Sequence, residues 1–273
     1  MDKDTRKYIL VFATNVKNEN SYLREWLEYH LLVGVDHFYI YDQDGSEETR
    51  AILKPYEDHD HVTRHLWTRY DGTKYDGPTR FYQKNKNHLA FSHCAQHYHN
   101  QSCWMMKIDV DEFLYPPRGD DSLVLCLKSF YRNKIKGIRI PRFNYGNNGH
   151  LTRPNKLVME SYTRREATAS DFKEIANSNF LSNNKFCNSA HWWHYKLIKP
   201  GRVIHAEDVN GIRINHYYTK SFEEYQNRQN VSRGRGRDEL HFLERNLGCN
   251  SVVDPEMLRF VPKIKAALLD NQE

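Results

Sequence analysis

Along the first 115 residues, short apolar runs alternate with stretches whose apolar residues recur every three or four positions. Tyr8–Thr14 is a near-continuous apolar run ending at Asn15, the pattern of a strand buried on both faces. Ser21–Leu32 carries Leu23, Trp26, Leu27 and Leu31 on one helical face, with Asn20 or Ser21 as N-cap and Gly34 as the stop. His37–Tyr41 reads as a second strand and runs into the turn residues Asp42–Ser46. Asp44 and Glu47 have the spacing of a capping box for the next helix. Val62–Leu66 is a third strand, Arg80–His99 a helix, and Trp104–Ile108 a fourth strand that ends in Asp109-Val110-Asp111-Glu112. Strand and helix in alternation imply an α/β fold, a mostly parallel sheet with helices on both faces. Such sheets bind ligands beyond the carboxyl ends of their strands. Here those ends are Asn15–Glu19, Asp42–Ser46 and Asp109–Glu112, all polar or acidic.

The pattern then becomes mixed. Gly137–Phe143 and Lys156–Tyr162 read as strands on either side of a Gly/Asn-rich loop, Asn144–Pro154. Phe180–Asn188 reads as a polar loop, and Gly211–Asn215 is strand-like. Ser221–Gln229, Asp238–Arg245 and Pro255–Leu269 read as helices, the first with a Ser221/Glu224 capping box. Ser232–Arg237, between the first two, is a basic loop.

Composition narrows the class. The 273 residues are 39% hydrophobic and 13% aromatic, too much for a disordered chain. A formal charge of +5 makes an anionic ligand plausible without requiring nucleic acid. No apolar run is long enough to span a membrane, and the mixed-charge start MDKDTRK has no signal core. Five cysteines without a C-x-x-C pair argue against a disulfide framework or structural zinc and fit reduced thiols, so the expected location is cytoplasmic.

Asp109 and Asp111 carry the sharpest chemistry. Where a strand breaks into a turn, two carboxylates two residues apart can converge on one hard cation such as Mg²⁺ or Mn²⁺, which also bridges to a diphosphate. The plainer alternative is a polar strand end with capping acids. Asn18, Glu19, Asp42 and Asp44 could bond a base and ribose, and Arg233, Arg235 and Arg237 could meet phosphate. His216, after the strand-like Gly211–Asn215, is either a metal ligand or structural. There is no G-x-S-x-G, P-loop or G-x-G-x-x-G.

Four blocks, VKNENSYLREWLEYHLLVGVDHFYIYDQDGSEET, WMMKIDVDEFLYP, FNYGNNGH and INHYYTKSFEEYQNRQNVSRGRG, appear in that order. In them the chain resembles glycosyltransferase family 92 and the family-2-like transferases of the GT-A fold. The resemblance implies a GT-A-type, Rossmann-like, mostly parallel sheet flanked by helices, a smaller mixed acceptor-side sheet and C-terminal helices. Residues 1–245 would form one transferase domain, with 1–115 the nucleotide-binding half and 116–245 the acceptor half, and 246–273 a helical tail. It further implies a metal-dependent, inverting hexosyl- or pentosyltransferase that uses a UDP- or GDP-linked sugar and a glycan or other hydroxyl acceptor. Lys17, Asn18 and Glu19 match the donor-site KNE, Asp42 the acid facing the nucleotide, and Gln83 a glutamine in the helix before the metal motif. Asp109 and Asp111 match the metal motif, with Asp111 favoured as the direct ligand, and His216 the C-terminal metal-holding histidine. Lys220 and Ser221 match the KS that follows. The metal implied is Mn²⁺, or Mg²⁺ in its place. Tyr145, Asn147 and Asn148 depart from the pattern in a loop expected to face sugar or acceptor, so donor preference does not carry over.

Inversion by single displacement needs a base for the acceptor hydroxyl. Glu166, Asp171, Glu207 and Asp208 lie between the metal motif and His216, where inverting enzymes of this fold keep theirs. Two rivals stay open. An apolar strand before Asp-x-Asp also describes a phosphohydrolase nucleophile, although such motifs sit on an early strand. Arg233–Arg237 also suits a nucleic-acid binder, against which stand 35 acidic residues.

Overall fold

The computed structural model describes residues 6–68, 79–116, 121–131, 134–197, 200–206, 211–227 and 239–270, without the side chains of 79–85 and 129. The first half runs β1 (Tyr8–Val16), α1 (Asn20–Leu32), β2 (His37–Asp42), α2 (Glu47–Asp58), β3 (Val62–Leu66), α3 (Thr79–Tyr98), β4 (Ser102–Lys107) and β5 (Glu112–Tyr115). It continues α4 (Val124–Phe130), β6 (Ile135–Asn144), α5 (Val158–Ser161), β7 (Arg164–Arg165), β8 (Asp171–Asn177), β9 (Arg202–His205) and β10 (Arg213–His216). Then follow α6 (Phe222–Asn227), α7 (Glu239–Asn246), β11 (Val252–Val253), a 3₁₀ turn at Glu256–Phe260 and α8 (Val261–Asp270).

The expected α/β class is what the chain adopts. β3-β2-β1-β4 form the parallel part, and the sheet continues as β8-β6-β10-β5, with β9 beside β6. β8 is antiparallel to both β4 and β6, and β10 is parallel to β6 but antiparallel to β5. The mixed strands, expected as a smaller sheet, thus extend the parallel strands in one sheet. A separate two-stranded sheet pairs β7 with β11.

The alternation of side chains along each strand decides which helix covers which face. On one face Trp26 and Leu27 of α1 meet Phe12, Phe38 and Ile40, and Val261 and Ile264 of α8 join the same core. Phe260 lies edge-on to Tyr29 of α1, with ring centres 5.3 Å apart. On the other face Ala90, Phe91 and Cys94 of α3 cover Val11, Tyr39, Met105 and Ala176. All five cysteines are free thiols. Among the described residues no helix is long and apolar enough to cross a membrane.

Several local expectations are corrected. Glu19, not Asn20 or Ser21, is the N-cap of α1, and it makes no side-chain cap bond. The Asn20 side chain instead accepts from Thr49 Oγ1 at 2.8 Å, tying α1 to α2. Ser46 caps α2 by accepting from Thr49 N at 3.1 Å. Asp44 is not part of a capping box there; it accepts from Asn18 N at 2.7 Å. The Ser221/Glu224 box forms as expected, with Glu224 N donating to Ser221 Oγ at 3.2 Å and Ser221 N to Glu224 Oε2 at 3.0 Å.

The largest correction is at Lys156–Tyr162, which contains a helical turn, not a strand. The buried Glu25 carboxylate accepts from Val158 N at 2.8 Å and Met159 N at 3.0 Å. A side chain 133 positions earlier thereby satisfies the first orphan amides of the turn. Burial pushes the Glu25 carboxyl up to about 7, against the opposing pull of those two amides.

Candidate active site

Adjacent parallel strands β2, β1 and β4 bring their carboxyl ends to one edge of the sheet. Lys17, Asn18 and Glu19 follow β1, Asp42 and Asp44 end β2, and Asp109 and Asp111 follow β4. Lys17 and Asn18 are exposed and Glu19 is half-buried. Asn18 adopts the left-handed conformation (φ 56°), which asparagine tolerates best after glycine. Gln43 Nε2 donates to Asn15 Oδ1 at 2.9 Å and to Asn87 Oδ1 on α3 at 2.5 Å, tying the ends of β1 and β2 to α3. Gln83 lies on α3, but its side chain is outside the described set.

Asp42 is buried and fully engaged. Its Oδ1 accepts from Asp44 N and Gly45 N, each at 2.9 Å, and its Oδ2 from Arg64 Nε and Nη2 at 2.9 and 2.6 Å. It shapes the turn at the strand end, and no oxygen of it lacks a donor.

The second half of the site lies on the extended part of the sheet. His216 pairs across to Glu112 on β5 and lies beside Asn144 on β6; Arg142 lies beside Asp171 on β8. Alternate residues of a strand share a face, so Glu112, His216, Asn144, Arg142, Asp171 and Lys173 project from the same side. Their contacts agree. Lys173 Nζ meets Asp109 Oδ2 at 2.7 Å and Glu112 Oε2 at 2.5 Å. Arg142 bridges Glu112 Oε1 at 3.0 Å and Asp171 Oδ2 at 3.1 Å. Asp109 N donates to Glu112 Oε2 at 3.0 Å, which fixes the turn of the Asp-x-Asp motif. Burial alone would pull the Lys173 ammonium down, but Asp109 and Glu112 outweigh it and hold it above its ordinary value. Burial would likewise raise the Asp109 carboxyl; Lys173 overrides this and holds it low.

His216 Nδ1 lies 2.7 Å from Asn144 Oδ1. The amide is oriented by its other end, because Asn144 Nδ2 donates to Ser170 Oγ at 2.8 Å and to Glu166 Oε2 at 3.4 Å. Glu166 also accepts from Asn144 N at 2.6 Å. An amide oxygen only accepts, so Nδ1 carries the hydrogen and Nε2 of the neutral ring carries a lone pair. That lone pair stands 3.4 Å from Asp111 Oδ2, another acceptor. With the ring neutral both atoms are acceptors that a cation between them would join; with the ring protonated the same contact is an ion pair. Among the described residues no three His, Cys, Asp or Glu side chains form a ready metal cage. Two protein donors suffice for a cation that takes its remaining oxygens from water and a diphosphate, so Asp111 and His216 fit one. Asp109 is half-exposed, and its Oδ2 is turned to Lys173.

Of the other expected site residues, Lys220 is buried, sits in the left-handed region (φ 50°), and places Nζ 3.7 Å from the Tyr22 ring centre at the start of α1. Ser221 caps α6. Glu166 orients Asn144. Asp171 accepts from Arg142 and from Phe172 N at 2.8 Å. Glu207, Asp208, Arg233 and Arg235 lie outside the described residues. Asn147 and Asn148 turn toward the C-terminal segment, and Tyr145 is buried beside β10. Asn147 N donates to Asn246 Oδ1 and Asn148 N to Asn250 Oδ1 (2.8 and 2.9 Å), and Tyr145 packs on Tyr217. The sequence reading missed Arg142, Lys173 and Asn144. The available signal was a cation or amide at a core-facing strand position, since a buried charge of that kind requires a partner.

The sheet thus gathers carboxylates, an Asp/His pair and polar side chains at the edge where open α/β sheets place their ligand sites. Residues 11–239 match glycosyltransferase family 92, and the chain belongs to that family. A glycosyltransferase family 92 protein of Oryza sativa subsp. japonica is 27% identical over 224 residues, covering 82% of this chain and 35% of that protein. A galactan β-1,4-galactosyltransferase of Arabidopsis thaliana is 34% identical over 103 residues, 37% of this chain and 19% of that one. The chain spans about a third of the length of the rice relative. Among solved structures, S. aureus TarS 1–349 in complex with UDP aligns with a TM-score of 0.36 and 11% identity, over 62% of this chain and 47% of that one.

Proposed function

We propose that the chain catalyses metal-dependent, inverting transfer of a sugar from a UDP- or GDP-linked donor to a glycan hydroxyl. The observation that carries this reading is the approach of Asp111 Oδ2 and His216 Nε2 to 3.4 Å beside the strand-end crevice. The similarity to a galactan galactosyltransferase supports a hexose as the group moved. The phosphohydrolase reading gives way to the family match. The nucleic-acid reading rested on Arg233–Arg237, outside the described residues.

In this reading Asp111 and His216 hold Mn²⁺ or Mg²⁺, which when bound neutralises charge on the departing diphosphate. Glu166 and Asn144 fix the His216 tautomer, and Lys173 with Glu112 fixes the turn that presents Asp111. Lys17, Asn18 and Glu19 line the donor end of the crevice, with Asp42 holding its shape through the β2 turn. Lys220 stands at the same end, where an ammonium suits phosphate.

Thermal stability against UDP, GDP, dTDP and CMP, each with and without Mn²⁺, tests the proposal. One nucleotide should stabilise the chain only with metal, by about 2.7 kcal/mol at 100 times its dissociation constant. Asp111→Ala should abolish the shift. A wild-type chain that no nucleotide stabilises in the presence of metal refutes the reading.

A further inference from the structure

Building on the transferase reading, we propose that His191, held by Asp171, is the general base that takes the proton of the acceptor hydroxyl. The sequence pointed to carboxylates for this role. Asp171, however, already accepts hydrogen bonds at both oxygens, from Phe172 N at Oδ1 and from Arg142 Nη2 at Oδ2. The same Oδ2 lies 3.2 Å from His191 Nδ1, and Phe172 O lies 3.1 Å from that nitrogen. Both neighbours only accept, so Nδ1 carries the hydrogen and the neutral ring keeps its lone pair on Nε2. Among the described residues none is bonded to Nε2, and the side chain is 27% exposed. A carboxylate that sets the tautomer of an imidazole whose far nitrogen faces solvent is the base half of a hydrolase triad without its nucleophile.

The segment that carries His191 is fixed against the metal-motif strand. Glu174 N donates to His191 O at 2.8 Å, and His191 N donates to Ser189 Oγ at 3.0 Å. Lys107, the last residue of β4 and two before Asp109, is buried and donates to Ser189 O and Trp192 O at 2.7 and 2.5 Å. A base on a backbone tied to the strand of the metal motif keeps its distance from the reacting centre. Strands β10 and β8 are two spacings apart and His216 and Asp171 are offset by two residues along them, so the two positions stand about 12 Å apart on the sheet. That span holds one sugar ring between a departing phosphate and a base. Trp192, next to His191 and 45% exposed, offers an aromatic face on which an acceptor sugar can pack.

In the step, the acceptor oxygen bonds to the anomeric carbon as its proton passes to His191 Nε2. The bond from that carbon to the diphosphate oxygen breaks, and its electron pair leaves with the nucleoside diphosphate. The imidazolium, paired with Asp171, returns its proton to water after product release.

Two measurements on the whole chain test this. ¹⁵N NMR of the imidazole should show neutral His191 protonated at Nδ1 in wild type, and a mixture of tautomers in Asp171→Asn. Protonation at Nε2 in wild type overturns the proposal whatever the enzyme's substrate. In kinetics with UDP-galactose, Mn²⁺ and β-1,4-galacto-oligosaccharides, His191→Ala should lower turnover at least 100-fold. Its affinity for UDP should stay within threefold of wild type, and added imidazole should restore at least tenfold. His191→Asn, which keeps the donor to Asp171 but lacks Nε2, should be equally slow. Turnover within fivefold of wild type in His191→Asn, or no rescue of His191→Ala, overturns the base assignment while leaving the transferase reading intact. Absence of both nucleotide binding and turnover in wild type removes the transferase reading and this proposal with it.

Discussion

Replacing Lys173 by methionine keeps most of the side-chain volume and removes one charge from the centre of the site. Lys173 is 1% exposed and meets Glu112, which is fully buried, and Asp109, whose side chain is 47% exposed. Breaking a buried ion pair from one side costs about 3–5 kcal/mol, because the stranded partner remains desolvated. Glu112 keeps Arg142 at 3.0 Å, and Asp109 can turn to water, so the lower end, about 3 kcal/mol, applies here. For a chain of this size that corresponds to a fall in Tm of about 6–12 °C. Calorimetry at pH 7.5 in 0.05 and 0.5 M NaCl measures it. The loss should persist at high salt, since buried pairs are poorly screened. It should shrink by at least 1 kcal/mol in a Glu112→Gln background, where the stranded charge is absent. A fall below about 2 °C, or an equal fall in the Glu112→Gln background, would show that Lys173 does not hold the Asp-x-Asp turn through its charge.

Two other contacts give further predictions. Glu25 has its carboxyl raised from 4.5 to about 7 by burial, so between those values the folded chain binds more protons than the unfolded one. Its contribution to stability therefore falls as pH rises from about 4.5 to about 7, by about 3 kcal/mol, and is flat outside that window. Glu25→Gln should remove this slope in denaturation series taken across that range; an unchanged slope would place the titration elsewhere. Asn144→Leu should free the His216 tautomer and weaken Mn²⁺ binding about 10–100-fold in calorimetric titration without nucleotide. Unchanged affinity would show that Asn144 does not orient a metal ligand.

Periodicity alone determined the alternating strands and helices from β1 to β4, because each buries its own apolar face and the spacing of that face is written locally. It also placed Asp42, Asp109 and Asp111 at strand ends, where such sheets bind ligands. The elements it did not anticipate, β5, α4, β7, β8, β9 and β11, are short or carry charges at core-facing positions. Lys173 makes β8 look too polar for a core until Asp109 and Glu112 are known to meet it. α5 exists because Glu25, on another helix, receives its first amides. Which partner each carboxylate meets was likewise a tertiary matter. Asp42 is consumed by Arg64, Glu166 by Asn144 and Asp171 by Arg142, whereas Asp111 faces a histidine lone pair. A sequence states which side chains can ionise; only the segments brought together by the fold decide which partner each of them meets.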